Sequence, residues 1–354
     1  MEDDESIDQM EGILNQATRD RVETFDPGIK LGDKKRAINS LLRDDSEDVF
    51  PTGIKELDQY NLGPKRKTLH ILVGLKKVGK TRWLVQLAQH AAMQDAKVLH
   101  VSLEMDEERM LKRYYQSFFA IAQHRTEIRR SKFKKDEFGR LTRVAYKKAK
   151  VRLALDDKRI RKELGKRIDR FGRRLNNIII KSFPTRQLTF NQLVAYIDRL
   201  EIQEQFVPDL LIVDYPKLMR IDMNNFRLAL GALLEDLRGL GVERNMAVAT
   251  VAQSHRVGKG QVGKIDTSDI GEDFSQTQTL DVGLVYRQTK MEAKLGLARI
   301  YVDDARDVSS GWEVLIAQNY SMGQFCVDSI RMRDNYMDLI SKKAGLDNEE
   351  GEET

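Results

Sequence analysis

The chain has 354 residues, 41% hydrophobic and 32% charged, with 60 Lys and Arg against 55 Asp and Glu and a formal net charge of +5. That length allows one core of about 200 to 250 residues with appendages, or two domains, and excludes a small stapled module. A single cysteine, Cys326, excludes an intramolecular disulfide framework and a cysteine-built zinc cluster; with no apolar run near the ~18 residues of a membrane span and an acidic start unlike a signal peptide, the expectation is a cytosolic protein without a membrane partner.

Residues 1–20 carry seven acids and one Arg, and the arm that they begin runs to about residue 50 with a helix read at Lys34–Leu42. A Pro51-Thr52-Gly53 turn opens the main domain, taken as residues 51–330. Lys67–Gly74 reads as a strand entering a glycine-rich loop, Arg82–Met93 as a helix with Trp83, Leu84, Leu87, Ala88 and Ala91 on one face, and Lys97–Leu103 as the next strand. Strand, loop, helix, strand is a parallel βαβ unit. Beyond it come a strand at Ile178–Ile180, a helix capped by Thr189, an apolar strand at Leu210–Val213, a helix at Phe226–Leu240 and a strand at Met246–Ala252. Runs at Val282–Tyr286, Arg299–Asp303, Trp312–Ala317 and Gln324–Asp328 suit a closing, partly antiparallel edge. The fold class is therefore α/β with a mixed, mainly parallel central sheet.

Residues 108–176 interrupt the alternation. From Lys112 to Arg174 there are 23 Lys and Arg against seven acids. Without proline, this basic insertion reads as two or three long helices, either a nucleic-acid surface or a solvated subdomain packed on the core or a partner. Residues 331–354 form an acidic tail; both acidic ends read as solvating segments.

Gly74-Leu75-Lys76-Lys77-Val78-Gly79-Lys80-Thr81 matches the P-loop pattern between a strand and an amphipathic helix. Its glycines let backbone amides wrap phosphates, the helix N-terminus favours an anion, Lys80 can reach the β- and γ-phosphates and Thr81 can hold Mg²⁺. Gly74, Lys76, Lys77, Val78, Gly79, Lys80, Thr81 and Arg82 are thus the candidate nucleotide-binding residues. Asp214, ending the apolar strand, is the second candidate metal ligand beside Thr81. Glu104, at the end of the following strand, is a candidate water-positioning base or a capping or salt-bridging acid, since Met105-Asp106-Glu107-Glu108 begins a helix. His100 and His255 read as structural. Between Ser254 and Asp273, Arg256, Lys259 and Lys264 alternate with Gly258, Gly260 and Gly263, a composition suited to clamping a nucleic-acid backbone or to an ordinary surface loop.

The order of P-loop, Ser102-Leu103-Glu104-Met105, Leu211-Ile212-Val213-Asp214-Tyr215 and Ala252-Gln253-Ser254 resembles the RecA-type P-loop NTPase motor domain of DnaB-like replicative helicases, from about Pro51 to Asp328. The resemblance implies ATP and Mg²⁺, water activation by Glu104, γ-phosphate sensing by Gln253, and a homo-oligomeric ring, usually a hexamer, around single-stranded DNA. It also implies Tyr286 and Arg287 near the nucleotide base, Arg306 as an arginine finger, and a helicase loader or other replication proteins as partners. About 50 residues precede the motor, where the family usually carries a separate helical domain. Asp304-Ala305-Arg306 stands where the family has lysine, then arginine two residues on. A RecA-like ATPase that remodels or pairs DNA, and a DNA-binding or loader module controlled by nucleotide, remain open alternatives.

Overall fold

The computed structural model describes residues 28–125, 127–253, 280–306 and 308–332. In chain order its elements are α1 (Lys34–Leu42), α2 (Lys55–Asp58), β1 (Leu69–Gly74), α3 (Lys80–Met93), β2 (Val98–Ser102), α4 (Glu107–Phe119), β3 (Glu127–Lys135), β4 (Leu141–Lys150), α5 (Ile160–Leu175) and β5 (Ile178–Ser182). They continue with α6 (Phe190–Glu204), β6 (Leu210–Asp214), α7 (Phe226–Glu243), β7 (Ala247–Gln253), β8 (Val282–Arg287), α8 (Lys290–Leu295), β9 (Leu297–Ala305), β10 (Trp312–Asn319) and β11 (Gln324–Arg331).

β1, β2 and β6 are buried along their whole length, which is why they are written as nearly unbroken runs of Val, Ile and Leu. Nine strands form one sheet in the order β11-β10-β9-β8-β1-β7-β6-β2-β5. The six from β8 to β5 are mutually parallel, and β9, β10 and β11 add an antiparallel edge. Trp83, Leu84, Leu87 and Ala88 of α3 pack with Met110 and Tyr114 of α4 on one face, while Leu193 and Ile197 of α6 and Leu230, Leu234 and Leu237 of α7 cover the other. The α/β class and the mixed, largely parallel sheet expected from the sequence are what the chain adopts. The Thr189 cap is a full capping box, Gln192 N donating to Thr189 Oγ1 at 3.2 Å and Thr189 N to Gln192 Oε1 at 2.9 Å. Among the described residues no helix is long and apolar enough to cross a membrane.

The basic insertion corrects one expectation. Its ends are helical, α4 and α5, but its middle is the β3–β4 hairpin rather than a helix. Lack of proline permits a strand as readily as a helix, and the period of two is there in the sequence: Ser131 and Phe133 are buried while Arg130, Lys132 and Lys134, which alternate with them, are exposed. Asp136 and Gly139, the latter at φ +73°, close the turn. The route is long. β2 and β5, which bracket the insertion, lie at one end of the sheet, whereas Phe133 and Val144 pack on Leu297, Leu315, Ala317 and Ile330 at the other. Val314 and Ile316 of β10 face the α3 side, so the hairpin lies on the opposite face.

Candidate nucleotide site

In a parallel sheet the carboxyl ends of the strands and the loops leaving them form the binding edge. Strand register decides which residues meet there. Ser102 of β2 is paired with Asp214 of β6, and Gly74 of β1 with Gln253 of β7, while β6 and β7 are themselves neighbours. Glu104, Asp214, Gln253 and the start of the P-loop therefore leave adjacent strands in the order β2, β6, β7, β1. Interstrand spacing is only ~4.8 Å, so residues from four distant stretches share one edge.

The loop from Leu75 to Gly79 turns tightly into α3. Lys77 at φ +67° and Gly79 at φ +98° both take the left-handed region, and Gly79 caps the helix without a side chain. The first-turn N–H groups of α3 thus lie at the loop, where an anion is favoured. Lys80 Nζ donates to Gly74 O at 3.1 Å and Leu75 O at 2.7 Å, holding its ammonium inside the loop. Burial lowers the Lys80 pKa, opposed by the nearby Asp214 and Glu104 carboxylates. Lys76 and Lys77 are exposed, and Val78 and Thr81 are half-buried.

Asp214 is fully buried, and burial pushes its carboxyl up to about 6; a hydrogen bond from the Thr81 side chain opposes the shift, Glu104 adds to it, and Arg113 and Lys80 oppose it. Its Oδ2 is buried without a hydrogen-bond partner. A buried carboxylate oxygen left open beside a threonine hydroxyl is a donor set suited to a hard divalent cation. Glu104 is exposed at the same edge and is not the cap of α4: Asp106 is, accepting from Arg109 N at 2.8 Å. His100 is buried in β2, sharing a 2.6 Å hydrogen bond with Tyr114.

Two contributors were not read from the sequence. Arg113 of α4 is half-buried among Asp214, Glu104 and Arg82, its pKa lowered by burial and supported by the two acids. A signal for it exists: Met110 and Tyr114 form the buried stripe of α4, and Arg113 stands within it three residues after Met110. Tyr320, in the turn after β10, carries no such signal. Its hydroxyl donates to Val78 O at 2.9 Å and accepts from Gln318 Nε2 at 2.8 Å, and Arg82 lies over its ring at 4.4 Å while donating to Tyr320 O at 2.8 Å.

Of the remaining candidates, Tyr286 lies behind the P-loop, and Arg287 and Arg306 sit apart from it. Tyr286 is buried beneath Gly74 and donates to Gln318 Oε1 at 3.0 Å, so it supports Tyr320 from behind. Arg287 is buried against Glu313 at 2.6 Å and over Tyr301 at 3.8 Å. Arg306 follows Ala305, which is paired with Val282 at the start of β8, so it lies at the sheet edge opposite its own P-loop. There it pairs with Asp281 at 3.1 Å rather than with its neighbour Asp304. Arg256, Lys259, Lys264 and His255 lie outside the described residues.

Residues 50–322 match the family described as DnaB-like helicase C terminal domain. The DnaB-like replicative helicase of Enterobacteria phage T4 is 26% identical over 235 residues, 64% of this chain and 43% of that protein, so the chain spans less than half the length of that relative. Two solved structures align at TM-score 0.62 and 17% identity. One, of a DnaB-like replicative helicase and its interactions with primase, covers 92% of this chain and 72% of its own; the other, of an ATPase domain, covers 84% and 99%. At that identity the likeness is one of fold.

Proposed function

The chain belongs to the DnaB-like helicase C-terminal domain family, and on that premise we propose that it is an ATP-driven DNA helicase motor that moves along single-stranded DNA as a homo-oligomeric ring, in its usual form a hexamer with ATP between protomers. The observation that carries this reading is the row of strand ends, in which a P-loop lysine, a Thr81–Asp214 pair and Glu104 meet at one sheet edge. Lys80 would leave the carbonyls of its own loop for the β- and γ-phosphates, where its charge offsets that of the phosphates. Thr81 and Asp214 would hold Mg²⁺, with Asp214 Oδ2 as the open donor. Such an ion, when bound, neutralises charge growing on the phosphate oxygens.

Glu104 would orient the attacking water, and its exposure leaves room for one. Gln253, beside Gly74 in the ladder, would report the γ-phosphate to the segment that follows β7. That segment carries Arg256, Lys259 and Lys264, which would grip DNA phosphates without reading sequence. Arg306 would act on a neighbouring protomer's ATP. A helicase loader or other replication proteins would be further partners.

Strand displacement on a forked duplex tests the whole. The expected result is ATP-dependent unwinding that is lost in Lys80→Ala. Sustained ATP turnover with no displacement on forks of either polarity would overturn the helicase reading in favour of a DNA-remodelling ATPase.

A further inference from the structure

We propose that the β3–β4 hairpin is a second nucleic-acid contact, separate from the segment after β7: its solvent face holds the phosphates of a single strand along Arg130, Lys132, Lys134 and Arg143, and its tip offers Phe138 to a base. The hairpin is built as a rigid arm. Its inner face is fixed by Phe133 and Val144 in the apolar cluster on β9–β11, by Phe133 N donating to Asp328 Oδ2 at 2.9 Å, and by Ser131 Oγ donating to Leu295 O at 2.9 Å. Lys135 Nζ adds a hydrogen bond to Ser329 O at 3.0 Å.

The outer face is cationic without compensation. Residues 127–150 hold ten Lys and Arg against three acids, Glu127, Asp136 and Glu137. Lys134 stands directly opposite Arg143, a like-charge cross-strand pair that weakens the hairpin. The ion pairs within the insertion fall elsewhere, at His124–Asp156, Arg125–Asp157, Arg159–Asp157 and Lys166–Glu163. Among the described residues no carboxylate pairs with Arg130, Lys132, Lys134 or Arg143; Arg130 lies at the base of the row, where its guanidinium donates to Met322 Sδ at 3.7 Å. Arg130, Lys132 and Lys134 recur at every second residue, ~6.7 Å apart, a regular row of charge suited to a repeating anion. The exposed residues of this face are Arg, Lys and Thr, without the apolar centre that a protein interface needs.

The tip adds the second half of the chemistry. Asp136 spends its carboxylate on the turn, Oδ1 accepting from Phe138 N at 3.0 Å and Arg140 N at 2.7 Å. Phe138 is thereby held out, 71% exposed, with the Arg140 guanidinium 5.0 Å from its ring centroid. An exposed ring beside a cation matches a nucleobase, whose π-face stacks whatever its identity. The hairpin packs on β9–β11, away from the β2, β6, β7 and β1 ends, so ATP chemistry and this contact can be separated.

The test is fluorescence anisotropy with a labelled oligothymidylate and with a duplex of equal length, over a salt series and without nucleotide, so that it does not depend on ATP turnover. Lys132→Ala/Lys134→Ala/Arg143→Ala should lower the slope of log affinity against log salt by about 2 for the single strand, roughly 0.7 per phosphate. Phe138→Ala should weaken single-strand binding by roughly 5- to 150-fold and leave the slope alone. DNA-free ATPase should stay at the wild-type level in both. Should the triple variant fail to fold, Lys134→Gln alone should lower the slope by about 0.7. Unchanged affinity and slope would overturn the proposal and leave the face to an acidic protein, and a loss confined to the duplex would overturn the single-strand assignment. A wild-type chain that binds no DNA would sink the motor reading as well, whereas intact binding by the variants sinks this one alone.

Discussion

The Tyr320 hydroxyl donates to the Val78 carbonyl across 2.9 Å, tying the P-loop to a turn 242 positions later in the chain. Gln318 bridges Tyr320 to Tyr286, so the loop is braced by β8 and β10 together. Gly79 lies beneath this clamp, and a Cβ there would collide with the Tyr320 hydroxyl.

A braced loop binds nucleotide without first being ordered. Tyr320→Phe removes both neutral hydrogen bonds of the hydroxyl, to Val78 O and from Gln318 Nε2, of about 1 kcal/mol each, and should weaken binding of a fluorescent ATP analogue roughly 5- to 30-fold while lowering the melting temperature by only a few degrees. Tyr320→Ala, which also loses the Arg82 stacking, should cost more. Wild-type affinity in Tyr320→Phe would show that the loop needs no brace.

Asp214 should make apo-protein stability depend on pH in an unusual direction. Burial raises its carboxyl from 3.8 to about 6, so the folded chain keeps this proton longer than the unfolded one. The contribution favours folding below the lower value and is lost as pH rises through the upper one. Relative to Asp214→Asn, wild type should lose about 3 kcal/mol between those limits, read by urea denaturation with chelator present. Parallel stability curves would contradict the assignment. If the ionised carboxylate holds Mg²⁺, ATPase should show an acid limb, and Arg113→Gln should move that limb to higher pH by removing a cation that opposes the shift.

What could be read from the sequence follows from the range of the forces involved. β1, β2 and β6 declare themselves because burial on both faces demands mostly apolar residues, broken within β1 and β2 only by the buried His70 and His100 and at the strand ends. The P-loop is legible because eight consecutive residues contain its chemistry. The β3–β4 hairpin is obscured because Lys and Arg outnumber its few buried positions, Ile128, Ser131, Phe133 and Val144. Tyr320 has no local sign at all, since only the closing of β8–β10 against β1 brings it to Val78.

Lys80→Ala and Glu104→Gln should separate binding from chemistry. The first deletes the charge held inside the loop and should abolish both tight nucleotide binding and turnover. The second keeps the shape at an exposed strand end and should retain ATP while losing roughly 10² to 10⁴ in hydrolysis rate. Near-normal steady-state ATPase in Glu104→Gln would remove that residue from the mechanism and leave water positioning to another group.

Arg306 should act in trans. Its position at the sheet edge opposite its own P-loop keeps it from its own γ-phosphate, yet its side chain is 50% exposed and free to face another protomer. Its ion pair with Asp281 is no obstacle. Asp281 also accepts from Arg238 at 2.9 and 3.2 Å and from Leu69 N at 2.9 Å, so this buried carboxylate stays satisfied when the half-exposed Arg306 leaves for solvent or a partner. Charge develops on the γ-phosphoryl oxygens during transfer, and an arginine supplied across an interface is worth roughly 10³ to 10⁵ in rate. Arg306→Ala and Lys80→Ala subunits should each be inactive alone and partly active when mixed, because the Lys80→Ala subunit lends its intact arginine to the unaltered P-loop of the Arg306→Ala subunit. ATPase of the mixture, in oligomers shown to be mixed, is the measurement. Substantial activity in Arg306→Ala alone would sink the trans role, and no recovery on mixing would leave Arg306 as a partner of Asp281 within its own chain.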